Sequence, residues 1–158
     1  MTTTHAYLIT WTTYGTFLPG DPRGWRKRQS GPQLPRPGLE KWCRDRMTHD
    51  AVLLSADDRD AVHKGCQEHC DFRGWTMLAV NARSNHVHVV VISDRAPKTT
   101  RDQLKANCTR SLRQQEVPLN VPKTWSKGGH VDVLDTDDEI ESAIIYVTEA
   151  QDRKSVEY

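Results

Sequence analysis

Two histidines flanking one apolar residue sit within the run Ser84-Asn85-His86-Val87-His88-Val89-Val90-Val91. A β-strand sends alternate side chains to opposite faces. His86 and His88 therefore point the same way, roughly 7 Å apart along the strand, and Val87 points the other way into a core. Two imidazoles side by side on a rigid platform suit a divalent metal ion. The same pattern also fits two half-exposed histidines on an ordinary strand. Tyr146 adds a second chemical candidate, on the flank of an apolar stripe near the end of the chain. It reads either as a buried structural tyrosine or as a phenolate nucleophile. Attack on a phosphodiester would give a phosphotyrosine ester, which keeps the bond energy and lets a 3′-hydroxyl reseal the strand. A free phenol, with a pKa of about 10, is a poor nucleophile at neutral pH. A metal ion on the scissile phosphate would withdraw charge and orient the phosphorus.

The flanking sequence predicts the elements that must position these groups. Residues 6–13 are aromatic and β-branched, a first strand. Residues 15–50 carry Leu18-Pro19-Gly20-Asp21-Pro22 and then Pro32, Pro35 and Pro37, which predicts a long irregular insertion. Ser55, with Asp57 and Asp58 behind it, predicts a capped helix running to about Phe72 and stopping at Gly74. Residues 75–80 read as a second strand, 81–85 as a turn and 86–92 as a third strand. Thr99 and Thr100 predict the cap of a helix over about 100–115, with Leu104, Cys108 and Leu112 facing the core. Residues 129–134 read as a short strand. Asp135 to Asp138 cap a last helix over about 137–150, with Ile140, Ile144 and Val147 on its buried face. The order β-α-β-β-α-β-α predicts an α+β fold of the ferredoxin-like, split β-α-β kind. The antiparallel sheet would carry a C-terminal tyrosine-bearing helix and an open face able to hold a single strand of nucleic acid. One domain over residues 1–158 is expected.

Composition narrows the classes. The net charge of +1 hides segregation: eight basic and two acidic residues from Arg23 to Arg46, six and one from Arg95 to Arg113, and none against seven from Asp132 to Glu149. Clustered basic faces suit phosphates even when the total is near neutral, and a solvated surface is the plainer alternative. No apolar run approaches transmembrane length, and the first residues read as no signal peptide. A soluble cytoplasmic protein with four reduced cysteines is expected. His63, Cys66 and Cys70 share one helical face; small core residues with a satisfied histidine fit them better than a zinc site without a fourth ligand.

The stretch from Asn85 to Val91 resembles the HUH motif (histidine, bulky hydrophobic, histidine) of the tyrosine transposases that move single-stranded insertion sequences, and of their REP-associated relatives. Thr12-Thr13-Tyr14-Gly15-Thr16, Leu18-Pro19-Gly20-Asp21 and Ile145-Tyr146-Val147 agree with it, so the resemblance runs from about Tyr7 to Gln151. It implies a metal-dependent nickase and ligase of single-stranded DNA, with DNA hairpins as the usual substrate. His86 and His88 would hold Mg²⁺ or Mn²⁺, and Tyr146 would become joined to a 5′-phosphate. Many members are homodimers in which the tyrosine helix sometimes serves the partner's histidines; the REP-associated relatives tend to act as monomers.

One position departs from the family. Members commonly carry Gln or Asn four residues after the tyrosine as a third metal ligand, and here that residue is Ala150. Glu149 lies closer to the tyrosine's face on a continuous helix, and Gln151 has the amide that resembles the family ligand; Gln151 is preferred. Arg23, Trp25, Arg26, Lys27 and Arg28 interleave charge with an aromatic ring, which suits phosphates and unstacked bases. Lys105 and Arg110 are candidates for lining a DNA channel. Residues 125–130 resemble a substrate-side loop. Two alternatives remain: a non-catalytic nucleic-acid-binding module of the same fold, whether domesticated or RNA-binding, and a replication-initiation nickase, which often carries extra domains.

Overall fold

Strand β1 (His5–Thr12) occupies an inner position of a four-stranded antiparallel sheet, between β5 (His86–Ser93) and β6 (His130–Leu134), with β4 (Thr76–Ala82) outside β5. A computed structural model describes residues 3–27 and 30–150 of the chain. The order β4-β5-β1-β6 is that of two interleaved split β-α-β units, one crossing through helix α2 (Ala56–Arg73) and the other through α3 (Pro97–Arg113). The ferredoxin-like α+β expectation therefore holds.

Alternation along the strands builds two cores. Tyr7, Ile9 and Trp11 of β1 and Val87, Val89 and Val91 of β5 are buried against Val62, Cys66 and Cys70 of α2 and Leu104, Cys108 and Leu112 of α3. The opposite face gathers Leu8, Leu78, Val90 and Leu134 beneath Ala143, Ile144 and Val147 of α4 (Asp137–Ile145) and the turn that follows it. The sheet face expected to be open is thus covered at one end by α4, because that helix also has an apolar stripe to bury.

Local signals explain most boundaries. Ser55 forms a capping box with Asp58, and Gly74 ends α2 in the left-handed conformation. Gly65 sits where α2 meets α3 closely: a Cβ there would lie 3.0 Å from the Asn107 carbonyl oxygen and 3.1 Å from the Cys108 Cα. Helix α3 starts earlier than expected, with Pro97 in its first turn rather than a cap at Thr99 or Thr100. Thr100 is instead buried, its hydroxyl 2.8 Å from that of Ser93.

Residues 15–50 are more ordered than their composition predicts. They hold a small hairpin of β2 (Trp25–Lys27) and β3 (Gly31–Gln33), then helix α1 (Pro37–Asp45), none of whose residues is fully buried. All four cysteines are free thiols. Among the described residues no helix is long and apolar enough to cross a membrane.

Candidate active site

The turn between β4 and β5 is clamped before the histidines begin. The Asn85 carbonyl accepts from the Thr13 amide at 2.9 Å and the Thr13 hydroxyl at 3.3 Å, and the Ser84 carbonyl accepts from the Leu54 amide at 2.7 Å. His86 and His88 follow on one face of β5, 4% and 3% exposed, their rings edge to face with centroids 4.8 Å apart. His86 Nδ1 lies 2.8 Å from Asn85 Oδ1, and His88 Nδ1 lies 2.7 Å from Thr10 Oγ1. With the Asn85 amide oxygen as acceptor, His86 carries its proton on Nδ1 and its lone pair on Nε2.

Both imidazoles are held neutral. Burial, then the neighbouring His88 and Arg83, pushes His86 down to about 3. Burial and Arg83 push His88 down to about 4. Neutral imidazole is the form that ligates a metal. The pair fits a divalent ion as two nitrogen donors whose far ring atoms are oriented by hydrogen bonds. Among the described residues no third His, Cys, Asp or Glu joins them in a metal-holding group.

Tyr146 reaches this pair from the opposite end of the sequence. Packing of Ala143 and Val147 on Ala79 and Val90 lays α4 over the sheet. The Tyr146 ring then meets the His88 ring edge to face, 5.4 Å between centroids. The helix does not continue as α beyond Ile145: Tyr146–Ala150 form a π-helical turn, a widened geometry often found at functional sites. Asn81, cross-strand from His88, ties this turn to the sheet by donating its side-chain amide to the Val147 carbonyl at 2.9 Å. The π turn also corrects the facial argument for Glu149, which assumed a continuous α-helix. Glu149 is exposed and joins no metal-holding group; Gln151 lies outside the described residues.

Other predicted residues fall elsewhere. Lys105 and Arg110 belong to α3, across the sheet from the histidines. The Lys105 ammonium is half-buried and donates to the Ser126 and Gly128 carbonyls at 2.9 and 2.7 Å. It braces the 125–130 segment, where Trp125 donates to Thr109 Oγ1 and packs edge-on to Trp11. Arg110 reaches Asn107 on the outer surface of α3. Arg23 is committed to the insertion: it pairs with buried Asp21 at 2.7 Å, donates to the Thr16 carbonyl and lies 4.0 Å over the Phe17 ring. Trp25 is half-buried and donates to the Leu34 carbonyl, while Arg26 is exposed. His63 accepts from the Ala82 amide at 2.9 Å, and the Cys66 and Cys108 sulfurs lie 3.4 Å apart. Burial pushes the Cys70 thiol up to about 12, keeping it protonated.

The sequence reading missed Thr10, Asn81 and Asn85, the residues that orient the histidines and the tyrosine turn. It also missed that β6 sets His130 opposite Thr10 on the same face, 2.8 Å from Asp132. Asn85 was next to the motif and was the one signal available; Thr10 and Asn81 become neighbours only through strand register.

No family model and no curated protein sequence matches the chain. Among solved structures, that of a REP-associated tyrosine transposase bound to a REP hairpin superposes on 96% of this chain and 68% of its own, with a TM-score of 0.53 at 8% identity. The chain shares the fold of that structure. At that identity the likeness extends to architecture, and the chemistry must be argued from the side chains themselves.

Proposed function

We propose that this chain is a transposase of the HUH tyrosine family, cleaving and rejoining single-stranded DNA through a 5′-phosphotyrosine. One observation carries the reading: Tyr146 lies edge-on to His88, beside His86, on the one sheet face where two neutral imidazoles meet a tyrosine. His86 and His88 would hold Mg²⁺ or Mn²⁺, and the ion would supply charge neutralisation on the scissile phosphate. Oxygen donors, including an amide in the segment that begins at Gln151, would complete its shell.

The chain's own residues then have definite tasks. Thr10 and Asn85 fix the two imidazole rings so that both present the same edge. Asn81 holds the tyrosine turn against β4. The Tyr146 oxygen attacks phosphorus and its proton passes to solvent; the P–O3′ bond breaks and the 3′-oxygen takes a proton. Attack by a 3′-hydroxyl on the phosphotyrosine reverses the step and frees the phenol. The DNA hairpin held by the solved structural neighbour supports a hairpin-containing substrate here.

The test is a denaturant-resistant protein–DNA adduct, formed with Mn²⁺ on labelled single strands from the DNA flanking the gene. Wild type should give the adduct and Tyr146→Phe should give none while still binding DNA; cleavage by Tyr146→Phe would remove the nucleophile from the scheme. The absence of a third carboxylate, imidazole or thiolate among the described residues favours a second reading, a non-catalytic nucleic-acid-binding module. Metal titration separates the two. Mn²⁺ affinity lost in His86→Ala supports the enzyme, and DNA binding indifferent to Mn²⁺ supports the module.

A further inference from the structure

We propose that helix α1 of the insertion is a base-stacking platform for the unpaired part of a single-stranded DNA, separate from the histidine–tyrosine site. The proposal rests on the reading of single-stranded DNA as the polymer bound. Trp42 is 54% exposed, although tryptophan is usually well buried. The Arg46 guanidinium lies 3.7 Å from the centre of its ring and is held there by a hydrogen bond to the Trp42 carbonyl at 3.0 Å. The rest of the ring borders an open depression of about 600 Å³, shared with Arg36, Pro37, Gly38 and Leu39. An aromatic plane backed by a guanidinium, with a second cation at the rim, is how proteins stack unpaired bases and hold the adjoining phosphates.

Charge selects the occupant. Both carboxylates of α1 are neutralised within the helix, Glu40 by Arg44 and Asp45 by Lys41, each at 2.9 Å. Arg36, at the rim of the depression, and Arg46, over the Trp42 ring, are exposed cations in addition to these pairs. The surface is therefore cationic and aromatic together, which fits a nucleotide chain better than an apolar peptide. The insertion leaves the sheet where Thr12 pairs with His86, and it returns to the same end through the Val52 amide on the Tyr14 carbonyl and the Leu54 amide on the Ser84 carbonyl. The platform thus hangs from the end of the sheet that carries His86.

The experiment compares wild type, Trp42→Ala, Trp42→Phe and Arg36→Ala for binding of fluorescein-labelled oligothymidylate and of a blunt DNA hairpin, by anisotropy over a salt series. Trp42→Ala should weaken oligothymidylate binding about tenfold with an unchanged salt slope, and Trp42→Phe should recover most of it. Arg36→Ala should lower the slope by about 0.7. The blunt hairpin should bind all four proteins alike. Equal oligothymidylate binding by wild type and Trp42→Ala, or an equal loss on the blunt hairpin, overturns the platform while leaving the single-strand reading intact. Failure of wild type to bind oligothymidylate at all overturns both. Self-association of wild type that Trp42→Ala abolishes assigns the face to a second copy of the chain and overturns the proposal.

Discussion

The two faces of β5 divide the labour of the molecule. One presents Val87, Val89 and Val91 to two long helices; the other presents His86 and His88 at one end and Val90 beneath the short α4 at the other. The valine face is stabilised by area removed from water, to which many side chains contribute. The histidine face holds its geometry through individual hydrogen bonds, from Thr10, Asn85 and Asn81. The same strand can therefore tolerate conservative repacking on one side and little change on the other.

Four substitutions or conditions would break or sharpen that division. Leu104→Ala on the valine side should cost about 3 kcal/mol by cavity formation, read by urea denaturation, and should leave Mn²⁺ affinity per folded molecule unaltered. Acid should act on the histidine side. His86 and His88 titrate near 3 and 4 in the fold, below an ordinary value of 6.5, so the unfolded chain takes up protons first. Stability should fall as pH drops from about 6.5 toward 4, and the fall should flatten in the His86→Gln, His88→Gln double variant. Thr10→Val, nearly isosteric, should weaken Mn²⁺ binding about tenfold or more in a calorimetric titration while changing stability little. Ser55→Ala removes the cap of α2 and should cost about 1 kcal/mol, with no effect on metal binding.

How much of this was legible in the sequence depended on whether a signal was local. The β-branched run after His86, the Ser55 cap and the Gly74 stop each lie within a few residues of what they specify, and the strand and helix fell where expected. The pairing of His86 with His88 followed from the two-residue period alone. The hairpin and helix of residues 15–50 were not legible, because short elements rich in Pro and Gly are held by contacts between distant residues, such as the Arg36 amide on the Gly20 carbonyl. Pro97 did announce the start of α3 and was overlooked in favour of the threonines. Thr10 and Asn81 were invisible because their roles come from a register that no single strand encodes. The exposure of Trp42 was not legible either, because exposure is decided by the fold.

The position of β1 has a consequence for how the molecule is made. It precedes the other strands of its sheet in the chain, yet both its edges are filled by later strands, and Thr10 meets His88 across 78 residues of chain. Tyr146 arrives later still, in the turn that follows α4. The cluster of His86, His88 and Tyr146 therefore stays incomplete until the segment after α4 has been made and packed on the sheet.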